Sequence, residues 1–189
     1  MDKKSISGAN IVQHIESISF DCLETADLRD LIFEMETRVE TAVHGSSKCK
    51  SIPEEDLKPV IHMIAEMTAQ SITVLGLGRE VFFLITDEEA GFSTNYTRDT
   101  LSTIEFVASD IIYIVEDLKS NRREMVEELV GKIIGHEVCH SYIARNFPEI
   151  EKVTRIVNED PQSDVYKSDP GERACNRFGE RLAIWRKNH

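Results

Sequence analysis

Apolar residues return every three or four positions between Thr25 and His44, where Leu28, Leu31, Ile32, Met35 and Val39 share one face and Gly45, Ser46 and Ser47 end the run. This spacing predicts a long amphipathic helix. A second helical pattern, Leu57, Ile61, Ile64, Ala65 and Thr68, follows the stretch SIPEED. There Ser51 or Ile52 precedes a proline in the first turn, acids suit the positive end of the helix, and Pro59 fits within that same turn. The period is then lost. SITVLGLGREVFFLITDEEAGF is rich in β-branched and aromatic residues broken by glycines, which predicts short strands at Ile72–Leu75 and Val81–Ile85. TIEFVASDIIYIVEDLKS continues the signal, with a strand over Asp110–Val115. Helical spacing returns at Asn121, where Asn121 and Glu124 form a capping-box pattern and Met125, Leu129, Ile133, Ile134 and Val138 repeat on one face. Pro148 closes that helix, and a polar connection with one helical turn follows. Asp169 and Pro170, a cap residue and a proline at the first position, open a last helix that runs through Trp185.

The elements add up to an α+β fold: a small mixed sheet packed on the helix that carries the histidines and on a C-terminal helix, with additional N-terminal helices. Its 189 residues suffice for one domain, read as a helical region over 1–70 and a core over 71–189. The formal net charge of −12 argues against a chain built to neutralise nucleic-acid phosphates or to lie on an anionic membrane. The first twenty residues interrupt their apolar positions with Asn10, Gln13, His14 and Glu16, unlike a secretory segment, and no run approaches membrane-spanning length. A soluble, cytoplasmic protein is expected. Cys22, Cys49, Cys139 and Cys175 show no CxxC pairing and read as free thiols.

The chemistry lies in KIIGHEVCHSYIARN. His136 and His140, four apart on a helix, are about 6 Å apart along its axis and about 40° around it, so both imidazoles can reach one ion. Glu137 projects to the side where a metal-bound water would sit and can take its proton. This HExxH pattern predicts a zinc site, and a catalytic one needs a third protein ligand and an open position. A third histidine three residues past a glycine is closed off by Ile143 and Asn146, which leaves a later carboxylate. Glu149 and Glu151 follow Pro148 too closely to turn back to the same ion, Glu159 lies in a loop, and Asp164 and Asp169 are weaker choices. Glu172, opening the last helix, is best placed, with Glu180 its rival. Asn176, one turn beyond Glu172, can fix the tautomer of a ligand histidine from outside. Cys139 and Cys175 read as small buried hydrophobes, and the spacing of His14, His44 and His62 makes none of them a ligand.

HEVCH followed by ERACNRFGERLA resembles the gluzincin metallopeptidases, and more closely the ImmA/IrrE group of minimal gluzincins, whose later helix reads E-x-E-A-N-x-F-A. Glu172, Asn176 and Phe178 match, Gly179 stands for the small residue, and Ala174 and Cys175 replace the Glu-Ala pair. The match covers Asp110 to Trp185, and the proline-ended apolar tail common in that group is replaced by LAIWRKNH. The resemblance implies a strand just before the zinc helix, at residues 110–116, offering its edge to an extended peptide. It also implies activity directed at one intracellular regulatory protein. The expected function is peptide-bond hydrolysis with zinc held by His136, His140 and Glu172, Glu137 as the general base, and an oxyanion donor drawn from Tyr142, Tyr166 and Tyr113. The competing expectation is a regulatory module that keeps the metal and sequesters a protein partner without cleaving it.

Overall fold

The computed structural model describes residues 8–87, 94–98, 101–151, 164 and 168–189. Along them run α1 (Gly8–Glu16), α2 (Arg29–Gly45), α3 (Glu54–Leu75), β1 (Val81–Thr86), β2 (Thr94–Arg98), β3 (Leu101–Val107), α4 (Ala108–Lys119), α5 (Arg123–Asn146) and α6 (Pro170–Asn188). The fold is α+β. The strands form one mixed sheet in the order β1-β3-β2: β1 runs parallel to β3 with Val81 opposite Ser102, and β2 runs antiparallel to β3 with Thr94 opposite Glu105. Buried side chains from all of these helices and from β1 and β3 meet in a single cluster. No helix among the described residues is long and apolar enough to cross a membrane.

Four local expectations are corrected, each for a physical reason. Ile72–Leu75 is the last turn of α3 rather than a strand. The second half of α3 is buried almost all round, from Met63 to Ile72, so its sequence loses the polar stripe that marks a surface helix. The helix stops at Gly76, whose positive φ of 61° lets its N–H reach the carbonyl of Thr73 while Leu77 reaches that of Ile72, a left-handed closure that glycine makes without strain. The proline at the start is also shifted: Pro53 caps the helix, and Pro59 sits in its second turn rather than its first.

Asp110–Val115 is helical, within α4. A strand would bury alternate residues, but the buried ones here are Ile111, Ile114 and Val115, with Tyr113 exposed. Neither the strand nor the substrate edge at 110–116 therefore exists in this form. Asn121 does not cap α5. With φ at 58° it closes α4, its N–H on the Leu118 carbonyl and that of Arg122 on Asp117, the same closure that Gly76 makes, in a conformation that asparagine tolerates. Pro148, by contrast, has two roles. α5 ends at Asn146, and Pro148 starts a new helical turn in which Ile150 and Glu151 donate to the Phe147 carbonyl.

What positions α5 and α6 against each other is the seam between them. A methyl on Gly135 would come within 2.7 Å of the Gly179 Cα, one on Gly179 would run into the carbonyl of Lys132, and Gly131 faces Ala183 at 3.5 Å. The pairs 131/183 and 135/179 define an antiparallel register, and one turn further along it the buried Cys139 and Cys175 face each other. Small residues let the two backbones touch, which brings side chains from the first turn of α6 within reach of those on α5.

Candidate metal centre

His136 and His140 lie one turn apart on α5 and turn their Nε2 atoms toward one point, 3.0 Å from each other. α6 supplies Glu172 from its first turn. Its Oε2 is 3.4 Å from His136 Nε2 and its Oε1 3.5 Å from His140 Nε2. Asp169 holds that turn: its side chain accepts the Glu172 backbone N–H at 3.0 Å, and Pro170 follows at the first helical position, as the sequence predicts. Burial is graded across the cluster. The Glu172 side chain is 1 % exposed, His140 8 % and His136 14 %, so the carboxylate forms the floor and the cluster opens toward solvent on the His136 side.

Each histidine is anchored from behind. His136 Nδ1 is 3.0 Å from Asn176 Oδ1, one turn past Glu172, the contact that the spacing of that asparagine allows. His140 Nδ1 lies 3.5 Å from the carboxylate of Glu151. Both outer partners are acceptors, so each ring donates its Nδ1 hydrogen outward and turns a bare Nε2 lone pair inward. Two inward lone pairs and a carboxylate repel one another unless a positive charge sits between them.

The group fits a metal ion. Its ligand atoms lie within 4.8 Å of one another. The spacings of 3.0, 3.4 and 3.5 Å bracket the edge of a tetrahedron with metal–ligand bonds near 2.05 Å, which is about 3.3 Å. Charge points the same way. Burial and the neighbouring His140 push His136 down to about 4, keeping it neutral. Burial also opposes protonation of His140, but Glu151, Glu172 and Glu137 outweigh it and hold that ring protonated well above its ordinary range. Without a metal, a proton on His140 stands in for the cation.

Glu137, the residue after the first histidine, is buried. Desolvation raises its carboxyl to about 8, with Glu172 and Glu151 adding to the rise and His140 opposing it. A cation among its neighbours would favour the carboxylate again.

The other candidates fall elsewhere. The structure does not bring Tyr142 into the group: it lies two residues past His140, about 200° around the helix, and its hydroxyl is 2.9 Å from His14 Nε2 in a ring cluster with Phe147. Tyr113 is exposed on α4. Glu180 pairs with Arg177 at the surface, Glu149 and Asp164 are exposed, and Asp169 is the helix cap. Glu159 and Tyr166 lie outside the described residues. Glu151 is the residue that sequence reasoning set aside and the structure brings in, beside His140. The same reasoning passed over Gly131 and Gly135, although small residues at a four-residue spacing on the HExxH helix were a readable signal of close helix contact. Cys139 and Cys175 are buried free thiols, and burial with the neighbouring Cys139 pushes Cys175 far up, so it stays protonated. No family model matches this chain, and neither does any curated protein or solved structure.

Proposed function

We propose that the chain is a zinc-dependent peptidase with His136, His140 and Glu172 as the metal ligands and Glu137 as the general base. One observation carries this reading: the two Nε2 atoms and the Glu172 carboxylate converge at tetrahedral-edge distances with a buried carboxylate next in sequence to the first ligand. A site that only held a structural metal would have four protein ligands and no use for a base beside it. Zinc in a three-ligand site supplies a water nucleophile near neutral pH and polarises a carbonyl. Glu137 accepts the proton of the attacking water and passes it to the departing amine nitrogen, as one amide C–N bond breaks and one C–O bond forms. Asn176 and Asp169 serve by holding His136 and the first turn of α6. The opening on the His136 side is where substrate would enter.

The resemblance to the ImmA/IrrE group supports a protein substrate bound in extended form. With residues 110–116 helical, the strand for such binding is β2, a sheet edge that borders α5. We expect narrow specificity toward one regulatory protein.

The test is metal content by elemental analysis after dialysis, in wild type and in Glu172→Ala, Glu180→Ala and Glu137→Gln. About one zinc in wild type, Glu180→Ala and Glu137→Gln, and none in Glu172→Ala, supports the ligand set. Cleavage of an unfolded protein substrate by wild type and not by Glu137→Gln supports the reaction. Metal retained by a wild type that cleaves nothing would favour the sequestering module.

A further inference from the structure

We infer that Glu151 is a positioning residue for the metal centre, holding His140 with its Nδ1 hydrogen directed outward and its Nε2 free for the ion. The inference rests on the metal-site reading above and extends it to a residue outside both ligand-bearing helices.

The path of the chain makes this contact deliberate rather than incidental. α5 ends at Asn146, Phe147 donates back to the Ile143 carbonyl, and the turn begun at Pro148 is closed by Ile150 and Glu151 on the Phe147 carbonyl. The backbone thus reverses at once, and Glu151, eleven positions beyond His140, comes back alongside α5 with its carboxylate 3.5 Å from His140 Nδ1. Neighbouring acids on this turn diverge: Glu149 is exposed, while Glu151 is 7 % exposed. Burying a carboxylate is costly in desolvation, so a glutamate that merely decorated the turn would be exposed as Glu149 is. The corner is itself held in place. His14 from α1 packs edge-on against Phe147 at 5.4 Å between ring centres and meets the Tyr142 hydroxyl, and Tyr142 packs on Phe147 in turn.

The two histidines are therefore supported unequally. His136 has a neutral amide behind it and His140 a carboxylate. An anionic acceptor draws the Nδ1 hydrogen more strongly and makes Nε2 the better electron donor, so His140 is the stronger of the two nitrogen ligands. Because Glu151 belongs to neither motif helix, the affinity of the centre depends on the 148–151 turn being docked.

The experiment uses the full chain stripped of metal, with zinc affinity read by competition against a chromophoric chelator and ligand geometry read from the visible absorption of the cobalt(II)-loaded protein. Glu151→Ala is expected to weaken zinc binding about 10- to 100-fold. Glu151→Gln, which keeps an acceptor oxygen, should recover part of that loss, and Glu149→Ala should match wild type. At saturating cobalt, both Glu151 variants should keep the tetrahedral absorption bands. Zinc affinity in Glu151→Ala within threefold of wild type overturns the proposal, as does a Gln variant no better than the Ala variant. Loss of the cobalt bands in Glu151→Ala at saturation also overturns it, since Glu151 would then be a ligand or a prop of the fold. A wild type that binds neither metal defeats the metal-site reading itself, and this inference with it.

Discussion

When no metal is bound, Glu137 and His140 respond to pH in one sense and His136 in the other. Glu137 titrates at about 8 in the folded protein against an ordinary 4.5, and His140 is also raised above its ordinary 6.5. Both hold their protons more tightly when folded, so the stability they contribute is full below the unfolded pKa and is lost as pH rises through the folded one. His136, lowered from 6.5 to about 4, does the reverse, losing stability as pH falls across that interval. Between pH 6.5 and 8 only the first pair acts, and the metal-free protein should melt at progressively lower temperature as pH rises. Thermal melts across that window check this, and Glu137→Gln should show a shallower slope. On the proposed metal-site reading zinc would displace the His140 proton, so its binding should release protons into a weakly buffered solution and tighten as pH increases. A pH-independent affinity would contradict the tautomers assigned to the centre.

At the scale of elements, the seam between α5 and α6 decides whether His136, His140 and Glu172 meet. A methyl at Gly179 would strike the Lys132 carbonyl and one at Gly135 the backbone of Gly179, so either helix must shift to admit it. Gly179→Ala and Gly135→Ala should each cost roughly 1–3 kcal/mol in stability, by overpacking, and lower zinc affinity as well, because Glu172 moves with α6. Gly45, at the end of α2, has open space where a Cβ would go. Gly45→Ala should therefore change stability by less than about 0.5 kcal/mol and leave metal binding alone. Chemical denaturation with parallel metal titration separates the two cases.

Across the whole molecule, α1 is tied to α6 rather than standing apart from it. Arg181 on α6 donates to the carbonyls of Ile15 and Ile18 and lies over the Phe20 ring, and Arg177 pairs with Glu16. Removing the Arg181 donors leaves two carbonyls at the end of α1 without them, so Arg181→Ala should destabilise the fold by about 1–3 kcal/mol while the metal content stays at one equivalent. On the proposed reading, with zinc bound by the folded chain alone, free metal at a hundred times its dissociation constant should add about 2.7 kcal/mol. A chelator should reverse that gain, as differential scanning calorimetry would show.

The residues of the centre were legible in the sequence because a helix makes a local promise: positions four apart share a face, and a cap residue followed by proline starts a new helix. Those rules place His136 and His140 on one face and Asp169 at a helix start; they favoured Glu172, with Asn176 one turn beyond it, without closing off Glu180, while the strand at Val81 was read from β-branched and aromatic composition instead. The rules failed where burial or tertiary contact replaced local pattern. The end of α3 and the run Asp110–Val115 are rich in β-branched residues, yet both are helical because the surrounding core takes up the faces that such helices present. Asn121 carries the composition of a cap but closes the helix before it, a choice made by backbone handedness. Glu151 could not be found from spacing, since its position depends on the chain reversing at Pro148 and on α1 holding that corner through His14. The sequence by itself thus determined the chemistry on each helix, through periodicity and capping. Only the tertiary structure decided how closely α5 and α6 approach and which carboxylate stands behind His140, because both depend on contacts between residues far apart in the chain.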